Sequence, residues 1–155
     1  AGYSEPDPRL DLSGRDVLRK LLILSREAGA EIDEADVEID PILGPEFFSG
    51  KVPAFYEMLA ANESSFATAY REAADKGLRQ RFVASLVAVQ EEGGVHYKAS
   101  MGLQCVGPEN PLFNLCGTDN AALIKTAFYP SPLVVQGAGA GAYQTASGVL
   151  NDILL

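Results

Sequence analysis

The stretch FVASLVAVQEEGGVHYKASMGLQCV, from Phe82 to Val106, decides the fold. Its two halves, Phe82 to Val89 and Val95 to Val106, are rich in β-branched and apolar residues. The sequence Glu91-Glu92-Gly93-Gly94 between them is typical of a tight hairpin turn. These runs therefore predict two neighbouring strands. Further strands are predicted at Asp36 to Ile42, Ala121 to Tyr129 and Leu133 to Gln136.

Helical patterns flank this hairpin on both sides. Ser13 with Asp16 three residues later has the form of a capping box and predicts a helix start. Apolar residues then recur at helical spacing, with arginines on the opposite face. Further helices are predicted over Val52 to Leu59, over Ser65 to Lys76, and from Gly137 to the chain end. The pattern indicates an α+β domain in which helices cover one face of a mixed or antiparallel sheet.

Composition excludes several classes of protein. The 155 residues are 47% hydrophobic, yet no apolar run approaches the roughly 18 residues of a membrane span. A net charge of −9 argues against nucleic-acid binding, because phosphate contacts need a basic surface. Six of the 21 acidic residues lie between Glu31 and Asp40, which we interpret as a solvated face.

Cysteine and histidine are scarce. Two cysteines, Cys105 and Cys116, and the single histidine, His96, are too few for a tetrahedral zinc site, so no metal is expected. We expect both thiols to be reduced, as in a cytoplasmic protein.

The densest chemical signal is GYSEPDPRLDLSGRDVLRK, from Gly2 to Lys20. It resembles the signature of homoserine dehydrogenase, with matching residues at Gly2, Tyr3, Asp7, Pro8, Asp11, Leu12, Gly14, Asp16 and Lys20. Leu10 departs from it, since relatives usually carry a second Asp there. A second resemblance closes the chain, where Val134 to Gly141 reads VVQGAGAG.

The resemblance implies a two-domain, NAD(P)-dependent dehydrogenase. Residues 1–136 would form its substrate-binding and dimerisation domain, and residues 137–155 a glycine-rich loop and helix returning to the nucleotide-binding domain. The chain starts inside a functional-looking loop and ends on the apolar pair Leu154-Leu155, so we expect a fragment without its Rossmann domain and inactive alone. A homodimer is expected from the apolar runs Val83 to Val106 and Leu123 to Phe128. Fusion to an upstream aspartokinase domain is left open.

The implied reaction interconverts L-aspartate 4-semialdehyde and L-homoserine, in threonine and methionine biosynthesis. Aldehyde reduction needs a hydride donor, NADP or NAD, and a proton source, which a partly desolvated lysine can be. In the resembled family, Lys20 and Asp16 hold the catalytic positions, while Glu5 and Asp11 hold the substrate ammonium group and Tyr3 also binds substrate.

Simpler interpretations stand beside these roles. Asp16 and Lys20 are also spaced as a routine surface ion pair, and Asp7 can cap a turn without touching substrate. A water held by a carboxylate could move the proton in place of Lys20. The alternative function is a non-catalytic small-molecule-binding or dimerisation module on the same scaffold.

The sequence Gly137-Ala138-Gly139-Ala140-Gly141 is the candidate cofactor-binding segment. With Ala142 it satisfies G-x-G-x-x-[GA] literally, but no βαβ unit precedes it, so it is not the dinucleotide fingerprint. The functional interpretation is a crossing where backbone amides approach the cofactor. The structural one is a tight strand-to-helix turn that needs small residues.

Overall fold

The computed structural model describes residues 7–154, apart from the side chain of Pro130. These residues divide into two compact units, 7–105 and 106–154. The elements of the first unit are α1 (Pro8–Leu12), α2 (Arg15–Glu27), β1 (Val37–Asp40), α3 (Val52–Ala61), α4 (Glu63–Asp75), β2 (Arg79–Glu91) and β3 (Gly94–Val106). Those of the second are β4 (Asp119–Thr126), β5 (Tyr129–Ala138) and α5 (Ala142–Leu154).

The first unit contains a three-stranded mixed sheet in the order β1-β3-β2. Strand β1 runs parallel to β3, with Val37 opposite Ala99 and Asp40 opposite Gly102. Strands β2 and β3 are joined by the two residues Glu92 and Gly93, a connection that makes neighbouring strands antiparallel. The predicted hairpin is therefore confirmed, and the mixed sheet agrees with the α+β prediction.

Helix α2 builds the main hydrophobic core of this unit. Its residues Leu18 and Leu21 are buried in one cluster with Val37, Ala99 and Met101. Burying a leucine side chain stabilises a fold by about 1.5–3 kcal/mol, so this face holds the helix on the sheet. The arginines of α2 are exposed, as the helical spacing predicted: Arg15, Arg19 and Arg26.

A second cluster lies beside α3. Leu43, Phe47 and the fully buried Phe55 form its centre. Leu12, the last residue of α1, packs against it from the motif segment. This contact ties the residues that carry the sequence signature to a rigid part of the unit.

The predicted capping box at Ser13 is wrong. Helix α2 begins at Arg15, and its N-cap is Gly14. Ser13 ends the short helix α1: its hydroxyl donates a hydrogen bond to the Leu10 carbonyl, 2.8 Å away, and accepts one from the Arg15 amide at 3.4 Å. Gly14 has φ +72°, and a Cβ there would lie 2.7 Å from Met101 Cε, so the tight passage from α1 to α2 favours glycine.

The second unit is a hairpin followed by a helix. Strands β4 and β5 are antiparallel, with Ile124 opposite Leu133 and Asn120 opposite Gly137. Tyr129 begins β5, whereas the sequence placed it at the end of β4. The reason is a turn at Ala127-Phe128, where the Phe128 amide donates to Thr126 Oγ1.

The last helix also starts later than predicted. Gly137 and Ala138 pair with Asn120 and Asp119 as strand residues, so β5 continues to Ala138 and α5 begins at Ala142. None of the described residues of α5 is buried. Large apolar side chains of this unit are exposed: Ile124, Phe128, Tyr129, Leu133, Val135, Tyr143, Val149, Leu150, Ile153 and Leu154.

Three surface features complete the fold. All six carboxylates between residues 31 and 40 are exposed, in agreement with the predicted solvated face. Cys105 and Cys116 are free thiols and both are exposed. Over residues 7–154, we find no helix with the length and apolar character needed to cross a bilayer.

Candidate active site

The motif segment is held by an ion pair between Asp7 and Arg9. Asp7 is the N-cap of α1, and its Oδ1 accepts from the Arg9 backbone amide at 3.0 Å. Arg9 Nε donates to Asp7 Oδ1 at 2.9 Å, and its Nη2 donates to Oδ2 at 2.6 Å. The hydrogen bonds from the Arg9 guanidinium hold the pKa of the Asp7 carboxyl below its ordinary value. This confirms that Asp7 caps a turn.

The same guanidinium reaches a distant loop. Arg9 Nη1 donates to the carbonyl of Gly50 at 2.8 Å, 41 residues along the chain. Sequence reasoning missed Arg9, although the Asp-Pro-Arg spacing was a signal for a capped first turn closed by its own arginine. Gly50 was not predictable, since this contact depends on tertiary structure.

Asp16 and Lys20 form the second ion pair of the motif. Lys20 Nζ lies 2.7 Å from Asp16 Oδ2, one helical turn apart on α2. Their side chains are 52% and 69% exposed, respectively. Both side chains are open to solvent in this unit, so the partial desolvation that suits a lysine proton donor is not seen within it.

The remaining predicted substrate residues lie near or beyond the start of the described chain. Asp11 is exposed on α1, four residues before the first residue of α2. Tyr3 and Glu5 lie outside the described residues. The structure therefore joins Asp16 to Lys20 directly and places Asp11 on the neighbouring short helix.

The glycine-rich segment 137–141 lies in the second unit. The Gly139 amide donates to the Thr118 carbonyl at 2.7 Å, and a Cβ on Gly139 would overlap the Asn120 side-chain amide. Gly141 has φ +145°, and the Thr145 amide and hydroxyl both donate to its carbonyl. Gly141 is thus explained by the turn from β5 into α5, whereas a Cβ on Gly139 would displace only the end of the exposed Asn120 side chain.

Gly137 differs from both. A Cβ added there would meet no atom of the described chain within 4 Å, and its φ is not positive. Packing therefore does not require glycine at this position. Any helix start leaves its first backbone N–H groups without intrahelical acceptors, and that arrangement suits contact with an anion.

Across the described ranges, no group of three or more His, Cys, Asp and Glu side chains is placed to hold a metal ion.

Comparison with known proteins points to one family. The homoserine dehydrogenase family model matches residues 1–154. The bifunctional aspartokinase/homoserine dehydrogenase of Haemophilus influenzae is 41% identical over 99% of this chain, which spans 18% of that protein. The homoserine dehydrogenase of Saccharomyces cerevisiae is 35% identical over 99% of the chain, which spans 42% of that protein. The chain therefore spans less than half the length of these relatives.

Solved structures share the fold. A Candida auris crystal structure of a protein described as of unknown function aligns with a TM-score of 0.81 at 36% identity, covering 99% of this chain and 42% of that one. Staphylococcus aureus homoserine dehydrogenase aligns with a TM-score of 0.67 at 24% identity, covering 97% of this chain and 32% of that one. On its match over nearly every residue, this chain belongs to the homoserine dehydrogenase family.

Proposed function

We propose that this chain supplies the catalytic and substrate-binding side chains of an NAD(P)-dependent homoserine dehydrogenase. The observation that carries the proposal is the exposed Asp16–Lys20 pair. Other motif residues have structural roles: Asp7 caps α1, Leu12 packs on a core cluster and Gly14 permits the tight turn into α2. Asp16 and Lys20 bury no core surface, so their place in the motif is best explained by chemistry.

Lys20 is the proposed acid/base. In homoserine oxidation its neutral amine accepts the proton of the substrate hydroxyl, and in aldehyde reduction its ammonium form returns that proton to the carbonyl oxygen. The nicotinamide cofactor, when bound, accepts or donates the hydride. Asp16 Oδ2 lies 2.7 Å from Lys20 Nζ and so positions that nitrogen.

Substrate binding falls to the carboxylates before α2. Homoserine and aspartate semialdehyde both carry an ammonium group, which carboxylates bind through charge-assisted hydrogen bonds. We assign this role to Asp11 and Glu5, with Tyr3 as a further substrate contact. Closure of the site around substrate would remove water from the exposed Asp16–Lys20 pair and strengthen its electrostatic effect.

The cofactor is assigned to residues 137–141 and to a nucleotide-binding domain elsewhere in a longer protein. Gly137 supports the first assignment, because nothing in the described chain explains a glycine there and its open side admits a ligand. Support for the second is that no βαβ unit with a glycine-rich first turn occurs within residues 7–154. Residues 1–136 would then carry substrate binding and dimerisation.

A homodimer and a cytoplasmic location complete the proposal. The second unit exposes Leu133, Val135 and other apolar side chains on its hairpin, and a two-stranded hairpin is marginally stable without a covered face. Light scattering of the full-length protein at micromolar concentration tests this, and a monomer would contradict it. An upstream aspartokinase domain is a further option, since the Haemophilus influenzae relative is bifunctional.

The function is tested with the full-length protein that contains this chain. Homoserine should drive reduction of NAD⁺ or NADP⁺, followed by absorbance of the reduced nicotinamide. The isolated 155-residue chain should be inactive. A folded full-length protein that reduces neither cofactor would contradict the proposal and favour the alternative, a non-catalytic binding or dimerisation module on the same scaffold.

A further inference from the structure

We infer that Arg9 is a positioning residue, which fixes the substrate-binding segment around Asp11 against the loop that precedes α3. This inference rests on the proposed function. It assigns to Arg9 a role in homoserine recognition that acts through the position of Asp11.

The geometry of Arg9 is that of a bridge. Two of its nitrogens, Nε and Nη2, donate to the two carboxylate oxygens of Asp7, at 2.9 and 2.6 Å. The third, Nη1, donates to the Gly50 carbonyl at 2.8 Å. The Arg9 side chain is 19% exposed and that of Asp7 is 32% exposed, so both are partly shielded from water. Every terminal nitrogen of the guanidinium thus has an acceptor.

The loop at the far end of this bridge is well anchored. Gly50 has φ +77° and directly precedes Lys51, the N-cap of α3. The Lys51 carbonyl accepts from the amide of Phe55, which is fully buried in the second cluster. The Gly50 carbonyl is therefore fixed by the start of α3. Its hydrogen bond with Arg9 restricts the movement of α1.

Helix α1 needs this support because it has only five residues. Isolated helices of that length are not stable in water. The Arg9 bridge near its start and the packing of Leu12 at its end both attach it to the rest of the unit. Asp11 lies between them and is exposed. Loss of the bridge would loosen the start of the helix that carries Asp11, which would weaken the binding of an ammonium group there.

The chemistry requires arginine. A lysine ammonium is a single point charge and cannot form the fork to Asp7 while also reaching the Gly50 carbonyl. Arg9→Lys therefore keeps the charge but loses the bridge. Arg9→Gln removes the charge as well. Both variants should behave alike if geometry is what matters.

The test uses full-length enzyme and measures kcat, both KM values and the melting temperature. We expect Arg9→Gln and Arg9→Lys to raise the KM for homoserine about 10-fold, with kcat and the cofactor KM nearly unchanged. Arg71→Gln on α4, an exposed arginine remote in sequence from the motif, is the matched control. Asp7→Asn combined with Arg9→Gln should be little worse than either change alone, because they remove the same bridge.

Three results would overturn the inference: a wild-type homoserine KM in Arg9→Gln, a full rescue by Arg9→Lys, or a lower melting temperature as the sole effect. Amide hydrogen exchange distinguishes a failure of the inference about Arg9 from a failure of the proposed function. The amides of Leu10 and Ser13, which donate to Asp7 and Arg9 carbonyls, should lose protection in Arg9→Gln. If protection is lost but the wild-type protein has no activity on homoserine, the proposed function is refuted. The Arg9 bridge would then have a structural role only.

Discussion

The two ion pairs of the motif make opposite use of the same kind of residues. Asp7 and Arg9 are partly shielded, share several hydrogen bonds and connect α1 to Gly50. Asp16 and Lys20 lie on the surface of α2 and share one contact of 2.7 Å. The first pair builds the structure of the segment, whereas the second contributes little to it, because exposed pairs of this spacing are worth about 0.3–0.5 kcal/mol.

The difference shows how a family signature divides between folding and chemistry. A motif residue with a buried or bridging contact is explained by the fold. A motif residue left in solvent needs another explanation, which the proposed function supplies. Substitutions in both groups of residues can test this division, because stability and kinetics are measured on the same variant.

Lys20→Ala should give the largest effect. We expect kcat of the full-length enzyme to fall about 10²-fold or more, since general acid–base groups contribute 10²–10⁴-fold, with cofactor KM nearly unchanged. The melting temperature should hardly move. Steady-state kinetics and thermal melting check this, with Lys76→Ala, another exposed lysine, as the control. Normal kcat would make Asp16–Lys20 an ordinary surface pair.

Glu5→Ala should act chiefly on substrate binding. Removal of a carboxylate that holds the homoserine ammonium costs about 1.5–3 kcal/mol, or roughly 10- to 100-fold in KM, with a smaller effect on kcat. The homoserine KM of the variant checks this. An equal loss in kcat and in kcat/KM, with KM unchanged, would instead place Glu5 in the chemical step.

Gly14→Ala tests a motif residue that is explained by the fold. Gly14 lies between the two ion pairs in the sequence. We expect a loss of about 1–3 kcal/mol of unfolding free energy, because φ is +72° and Met101 lies close to the added methyl group. Gly29→Ala is the matched control, since its φ is +84° but its surroundings are open. Equal losses of unfolding free energy in the two variants, measured by denaturant unfolding, would show that the contact with Met101 does not add to the cost.

Gly137→Ala and Gly139→Ala test whether glycines of the second unit serve the fold or the binding of the cofactor. The Gly139 variant should be destabilised by only about 0.5 kcal/mol, because its methyl group displaces the end of the exposed Asn120 side chain. The Gly137 variant should melt normally and show a raised cofactor KM. A Gly137 variant with unchanged cofactor KM would mean that the segment is a strand-to-helix turn alone.

Acid should weaken the Asp7–Arg9 pair by a small amount. The Asp7 pKa is lowered in the folded state by hydrogen bonds from Arg9, so ionised Asp7 stabilises the fold above its unfolded pKa of about 3.9. That stability is lost as the pH falls through the lower folded pKa. Unfolding midpoints between about pH 7 and pH 2 should converge for wild type and Asp7→Asn at the acid end. Parallel curves would contradict this assignment.

Local patterns predicted the fold where they are strong. The β-rich runs around Glu91 to Gly94 and the apolar face of α2 are periodic, so the hairpin and its covering helix follow from the sequence. The predicted ends of strands and helices were wrong where pairing with a neighbouring strand sets them. Gly137 and Ala138 have no strand propensity, but Asn120 and Asp119 on β4 pair with them and extend β5.

One contact of the candidate site was predictable, and its environment was less so. The spacing of Asp16 and Lys20 predicted the ion pair that the structure shows. Ser13 was misassigned because α1, a helix of five residues, gives no periodic signal, so the serine that ends it resembled one that begins α2. The Arg9–Gly50 contact joins residues 41 positions apart and depends on tertiary folding.

Chemical rescue of Lys20→Ala tests the central claim most directly, that Lys20 moves the proton. Small primary amines added to the full-length variant should restore homoserine oxidation, with a rate that rises with amine concentration and depends on amine basicity. The same amines should leave wild type and the Glu5→Ala variant unchanged. A variant that loses kcat and gains nothing from any amine, or one that keeps its kcat without them, would contradict the account.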